Sequence, residues 1–255
     1  MHTTVPTDTK TPDVSIVIPA YNEAQRLPAT LAAWRRFLTP RAFNWEVLVV
    51  DDGSTDKTAT VVEVVSAQEP RVHLLRRPRN MGKGAAVRAG MRAARGAVIF
   101  AVDADCNVAP ANVPAFLEAI EGGAGVVIGT RSARQYAATE RSPTRVLAGL
   151  LIQVLRRALL LPRLRDTQCG FKAFTHQMAR AVFARTVVNG FAFDIEALFI
   201  ARRLGARIVE RPVEVVYRPG STYSLQKHLL PFVREIIATK RRDLRGAYRL
   251  DTGRP

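Results

Sequence analysis

"EVLVVDDGSTDKTATVVEVVSAQ", Glu46–Gln68, is the stretch whose reading decides the fold. It opens on a β-branched apolar run suited to a buried strand, crosses a polar loop, and continues from Thr55 in a helical pattern. The same kind of unit stands on either side of it. "VSIVI" (Val14–Ile18) precedes a helical pattern over Ala24–Leu38, "RVHLL" (Arg71–Leu75) precedes one over Lys83–Arg95, and "AVIFAV" (Ala97–Val102) is the next strand. Strand and helix alternating this regularly predict an α/β fold, a doubly wound, mostly parallel sheet flanked by helices. Ligands of such sheets sit outside the carboxyl ends of the strands. "PAYNE", "DDGSTD", "RPRNMGKG" and "DADCN" all fall there, so four polar loops are expected on one rim.

Beyond Val108 the pattern is less regular. "GVVIGTR" reads as a strand, Thr144–Leu161 as a helix, and "DTQCGFKAF" as a loop entering a short strand. Helices over His176–Ala184 and Asp194–Leu204 follow, then a strand pattern around Pro212 and a basic helix over Gln226–Tyr248. The expected organisation is a polar, disordered lead over 1–13, a main domain over 14–225, and a basic amphipathic helix with its tail over 226–255.

The chain has 255 residues and 47% hydrophobic content, enough to bury one sizeable core. Its formal charge of +16 calls for an anionic partner: nucleic acid, a phospholipid surface or a phosphorylated substrate. No RNA-binding aromatic motif or zinc-finger spacing accompanies that charge, which argues against nucleic acid. Two cysteines, Cys106 and Cys169, without a CxxC pair suggest neither a disulfide framework nor a zinc site, and suit a reducing cytoplasm. The N-terminus has no signal-peptide pattern, and "VLAGLLIQVLRRALLLP" from Val146 is interrupted by Gln153, Arg156 and Arg157. No transmembrane segment is predicted.

The rim loops carry the chemistry. Asp103 and Asp105, alternate carboxylates leaving a strand, suit a hard divalent cation, although an aspartate-rich turn has the same composition. "NMGKGAAVRAG" places glycines and Lys83 at a strand-to-helix passage, where free backbone N–H groups at a helix start hold phosphate, or where an ordinary glycine turn sits. It has neither the Walker nor the dinucleotide-fold spacing, which weakens an ATPase or dehydrogenase reading. Asp51 and Asp52 offer acceptors to a base imide or to ribose hydroxyls, while Ser54 or Asp56 suits a helix N-cap.

In order along the chain, "VSIVIPAYNEAQRLP", "VLVVDDGSTDKT", "NMGKGAAVRAGMRAARG", "DAD", "GTR" and "DTQCGFKAF" resemble the family 2 inverting glycosyltransferases of GT-A fold. Within that family they are most similar to the branch making polyprenyl-phosphate sugars, the dolichyl-phosphate glucosyltransferase and mannose synthase type. The resemblance covers Val14 to Tyr248. It implies nucleotide-sugar contacts from Pro19, Tyr21, Glu23, Asp51, Asp52, Lys83, Asp103 and Asp105, with Mg²⁺ or Mn²⁺ on Asp103 and Asp105. It implies an acceptor-phosphate pocket of Arg131, Arg141, Arg145, Gln168 and Lys172, and catalytic contributions from Asp105, Arg131, Asp166 and Lys172. Two departures stand out. Cys106-Asn107 follow the second aspartate where the branch often has Gly or Leu-Gln, and "STYSL" (221–225) replaces the S-K-Y-S-L of related bacterial enzymes.

The expected activity is metal-dependent transfer of a hexose, glucose first, from a UDP-sugar to a polyprenyl phosphate with inversion. A phosphate monoester is already an anionic nucleophile, so a basic pocket replaces the general base a hydroxyl acceptor needs. Alternatives are a family 2 enzyme acting on a small phosphorylated or hydroxyl acceptor, and a GDP-mannose-dependent mannose synthase. Seven basic residues against two acidic ones over Gln226–Arg249, beside an apolar stripe, predict peripheral docking on an anionic membrane surface at its cytoplasmic face. Lys240, Arg241, Arg242 and Arg245 are expected to face the headgroups, with Val146–Leu161 as a second apolar contact. The sequence does not specify an oligomeric state.

Overall fold

A computed structural model describes residues 11–131, 143–215 and 225–248. Along the chain run β1 (Val14–Ala20), α1 (Leu27–Leu38), β2 (Trp45–Asp51), α2 (Thr58–Gln68), β3 (Val72–Arg76), α3 (Lys83–Ala93) and β4 (Val98–Val102). A 3-10 turn, Pro110–Asn112, leads into α4 (Val113–Glu121) and β5 (Val126–Thr130). Then come α5 (Pro143–Leu159), β6 (Phe171–Thr175), α6 (His176–Phe183), α7 (Phe193–Arg203), β7 (Ile208–Pro212) and α8 (Leu225–Leu244). The strands form one sheet in the order β3-β2-β1-β4-β6-β5-β7. All neighbours are parallel except β6, which is antiparallel to both β4 and β5.

The predicted doubly wound α/β sheet is therefore present, with one reversed strand inserted. That reversal matters for the rim. Because β6 runs backwards, its first residue, Phe171, pairs with the last residue of β4, Val102. The segment before β6 thus reaches the same edge as the segments after β1, β2, β3, β4, β5 and β7.

Residue alternation along the strands builds a core on each face of the sheet. Val17, Leu48 and Val50 point to one side, against Val87 and Met91 of α3, Phe183 of α6 and Leu198 of α7. Ile16, Ile18, Val47 and Val49 point to the other, against Leu31 and Trp34 of α1, Val62 of α2 and Phe116 of α4. Every residue of α7 from Phe193 to Ala201 is buried, as befits a helix covered on all sides. Phe232 and Ile236 of α8 belong to the same core as α7. Below the rim, Phe171 stacks on Trp34 at 6.2 Å between ring centroids and meets Phe116 edge-on at 4.9 Å.

The reading of the sequence had no place for α4. Val113, Phe116 and Ala119 are buried at helical spacing and a proline stands in its first turn, where a missing N–H is harmless. Nine residues are fewer than periodicity needs to separate helix from strand. Among the described residues, no helix is long and apolar enough to cross a membrane.

Candidate active site

The loop after β4 carries the two alternate carboxylates. Asp103 donates its N–H to the carbonyl of Gly170 (3.1 Å), which ties the start of this loop to the turn entering β6. A Cβ on Gly170 would lie 1.9 Å from Asp103 Oδ2, so glycine is needed there for Asp103 to keep its position. Cys106 closes the loop with φ of 50°, in the left-handed region, and its N–H donates to the Asp103 carbonyl (3.2 Å). Asn107, which the sequence could not assign, donates its amide to Asp105 Oδ2 at 2.6 Å. Burial, reinforced by the neighbouring Asp103 charge, pushes the Asp105 carboxyl above its usual range. Asn107 also leaves its Oδ1 buried without a hydrogen-bond partner.

Lys83, at the first position of α3, reaches across to Asp103 and pairs with Oδ1 at 2.6 Å. Burial alone would lower this ammonium, but Asp103, Asp194 and Asp105 outweigh it and hold the group above its usual range. The expected phosphate cradle around Lys83 is corrected here. Met81 and Gly82 donate their N–H groups to Asp52 (3.1 and 2.8 Å), and Gly84 and Ala85 donate theirs to the Asn189 carbonyl (2.8 and 3.4 Å). Four backbone donors around the opening of α3 are thus taken from within the fold, and Lys83 offers its side chain.

The two aspartates ending β2 separate in role. Asp52 is buried and consumed by the 77–82 loop, accepting from Arg77 at 2.8 Å as well as from Met81 and Gly82. Asp51 accepts from the Ser54 N–H at 2.9 Å, and its buried Oδ2 makes no hydrogen bond, with the Arg76 guanidinium 3.8 Å away. Pro19 lies inside β1 opposite Val50, and Tyr21 is exposed on the rim beyond it. Glu23 pairs with Arg26 at 2.6 Å, and burial raises its carboxyl, with Asp105 and Asp103 adding to the shift against Arg26. This loop is stapled to the "DDGSTD" loop: the N–H groups of Asn22, Glu23 and Ala24 donate to Ser54, Thr58 and Asp56 respectively. Asp56 also accepts from the Thr58 N–H, but the N-cap of α2 falls on Lys57, not on Ser54 or Asp56 as expected.

Across the cleft, Arg131 follows β5 and forms a two-pronged ion pair with Asp166, Nε to Oδ2 at 2.7 Å and Nη2 to Oδ1 at 2.9 Å. Asp166 also accepts from the Gln168 N–H at 3.0 Å, while the Gln168 side-chain nitrogen is buried without a hydrogen-bond partner. Lys172 lies lower than the rim residues. It is buried on β6, pairs with Asp194 of α7 at 2.7 Å and donates to the Cys169 carbonyl at 2.5 Å. Asp194 was not singled out by the sequence, and no motif marks it; burial raises its carboxyl against the pull of Lys172 and Lys83. Arg141 and the "STYS" residues 221–224 lie outside the described residues, and of Arg145 only its place on α5 is described. One cleft brings together Asp103, Asn107, Arg131, Gln168 and Gly170 over a floor of Trp34 and Phe171.

Two carboxylates and an orphaned amide oxygen form an all-oxygen donor set, which fits Mg²⁺ or Mn²⁺. Among the described residues no three His, Cys, Asp or Glu side chains come close enough to hold a metal by themselves. The remaining oxygen ligands would have to arrive with a ligand.

A family model described as "Glycosyl transferase family 2" matches residues 15–185. A dolichyl-phosphate beta-glucosyltransferase of Trichomonas vaginalis is 37% identical over 79% of this chain and 65% of its own length. The Homo sapiens dolichyl-phosphate beta-glucosyltransferase is 32% identical over 97% of this chain and 81% of its own. The chain spans just under two thirds of the length of the Trichomonas relatives it matches. Among solved structures, glucosyl-3-phosphoglycerate synthase from Mycobacterium tuberculosis, in complex with Mn²⁺, UDP and glucosyl-3-phosphoglycerate, superposes with a TM-score of 0.62 at 23% identity. That superposition covers 95% of this chain and 82% of the other and establishes the shared fold.

Proposed function

Since the chain belongs to glycosyl transferase family 2, we propose that it transfers glucose from UDP-glucose to a polyprenyl phosphate, inverting the anomeric carbon. The observation that carries this reading is the shared cleft: Asp103, on the carboxylate loop, and Arg131, held by Asp166, line the same cavity. Similarity to dolichyl-phosphate beta-glucosyltransferases supports the lipid acceptor and the sugar.

Asp103 and Asp105 would hold Mg²⁺ or Mn²⁺, with Asn107 oxygen beside them. When bound, the cation offsets the charge that develops on the leaving nucleoside diphosphate. Asp51, with its open acceptor oxygen, suits the nucleoside better than Asp52, whose oxygens are committed to the 77–82 loop. Arg131 is aimed by Asp166 and orients the acceptor phosphate; its planar fork matches a phosphate's oxygens. Lys172 supports the site from beneath, holding the Cys169 carbonyl in the turn that seats Asp103.

The step needs no proton transfer. A phosphate oxygen of the acceptor attacks the anomeric carbon as the bond from that carbon to the UDP oxygen breaks, and the bonding pair leaves with UDP. Positioning the two reactants in line is the main contribution of the protein.

At the surface, Leu150 and Val154 of α5 and Leu230 and Leu244 of α8 are exposed, and Arg241 is exposed on α8. Together they support peripheral contact with an anionic bilayer. Of the other expected basic contacts, Arg245 is exposed just past α8, whereas Lys240 and Arg242 are half-buried, and Lys240 faces Asp243 at 3.4 Å.

Incubating the protein with Mn²⁺, UDP-glucose and a polyprenyl phosphate in detergent is expected to yield a glucosylated lipid detectable by mass spectrometry. Absence of product with UDP-glucose, while another sugar donor is used, would shift the sugar; absence with every UDP- and GDP-sugar overturns the reading.

A further inference from the structure

Both carboxylates of the Asp103–Asp105 loop already have partners. Lys83 Nζ sits 2.6 Å from Asp103 Oδ1, and the Asn107 amide 2.6 Å from Asp105 Oδ2. A cation approaching Asp103 therefore meets an ammonium. The backbone beneath that ammonium is fixed, because Gly82 donates to Asp52 and Gly84 to Asn189. A Cβ on Gly82 or Gly84 would come within 2.5 Å of Asn189 or Phe193, so this backbone has no room to shift. The lysine stem, by contrast, is four flexible carbons with a compact charge at the end, and 27% of the side chain is exposed. Lys83 can move its charge without moving α3.

We propose that Lys83 is the resident counter-ion of the carboxylate loop, that a divalent cation takes Asp103 from it, and that the displaced ammonium then meets the donor diphosphate. The inference rests on the metal-dependent donor site proposed above. Cation alone must break the Lys83–Asp103 pair without a new anion for Lys83, so it binds weakly. With a nucleoside diphosphate the ammonium gains a partner, so each ligand strengthens the other, and by thermodynamic linkage to the same extent.

The test is Mn²⁺ binding followed by the electron paramagnetic resonance of free Mn²⁺, with and without UDP. Wild type is expected to bind Mn²⁺ markedly more tightly with UDP. Lys83→Met is expected to tighten Mn²⁺ binding without UDP by about tenfold and to shrink the UDP effect. Arg26→Met also removes a positive charge near Asp105 and serves as the comparison.

The inference is overturned if Lys83→Met binds Mn²⁺ alone no better than wild type, if it keeps the full UDP effect, or if Arg26→Met reproduces its behaviour. A wild type that binds no Mn²⁺ even with UDP overturns the metal-dependent donor site itself, which separates the two failures.

Discussion

Replacing Gly170 with alanine tests the link between the β6 turn and the carboxylate loop. The new methyl would stand 1.9 Å from Asp103 Oδ2, 2.2 Å from Cγ and 2.7 Å from Oδ1. A comfortable carbon–oxygen contact is about 3.3 Å, so the carboxylate must retreat by about 1.4 Å. Gly170 has no left-handed φ, so alanine introduces no backbone strain and the effect passes through Asp103. An off-rotamer aspartate costs about 0.5–1.5 kcal/mol. The partly exposed ion pair with Lys83 adds at most about 1 kcal/mol, so the fold loses only about 0.5–2.5 kcal/mol. For a chain of this size that lowers the melting temperature by about 1–10 °C. The site suffers more, because a misplacement of about 1 Å in a positioned group costs on the order of 100-fold in rate. Calorimetry and steady-state transfer on the same preparation give both numbers. In an Asp103→Ala background, Gly170→Ala should cost little further activity. Transfer within threefold of wild type in the single variant, or additive losses in the double, would refute the reasoning.

Arg131→Lys keeps the charge but loses the fork that meets Asp166 at two points, and acceptor kcat/KM is expected to fall about 10–100-fold, with donor KM little changed. Gly149 faces open space in α5, so Gly149→Ala should raise stability by about 0.5–1 kcal/mol in urea unfolding without altering transfer. Burial holds the Glu235 carboxyl above its usual value of 4.5, although the Ala192 and Gly190 N–H groups pull the other way. The folded state then binds the extra proton, so this group stabilises fully below 4.5 and the contribution is lost as pH rises through the folded value. Relative to Glu235→Gln, wild type should lose stability over that rise and remain level above it; an opposite slope in urea midpoints counts against the assignment.

Much of the fold was legible because its signals are local. Strand runs at Val14, Glu46 and Ala97 and the helical spacings between them required only burial and periodicity, and β1, α1, β2, α2, α3 and β4 lie where they were expected within a few residues. Asp103, Asp105 and Lys83 were singled out for a related reason, and Arg131 by resemblance to the family. The residue types of the first three and their places at strand ends announce oxygen-ligand and phosphate chemistry. What was not legible depends on partners distant in the chain. The N–H groups opening α3 looked available, yet Asn189, more than a hundred residues later, takes two of them. Nothing in "DDG" tells Asp51 from Asp52; the difference is that the 77–82 loop folds back onto one of them.

By itself the sequence determined the order of elements from β1 to β4, the convergence of polar loops on one rim, and the family to which they belong. These follow from side-chain periodicity and residue chemistry, which every segment carries with it. Only the tertiary structure decided which charges are spent and which are open. Lys83 rests on Asp103, Lys172 on Asp194, Arg131 on Asp166 and Asn107 on Asp105. Pairings of that kind depend on distances across the sheet, set by the reversal of β6 and the packing of α3 and α7 beside it, which no stretch of the chain encodes alone.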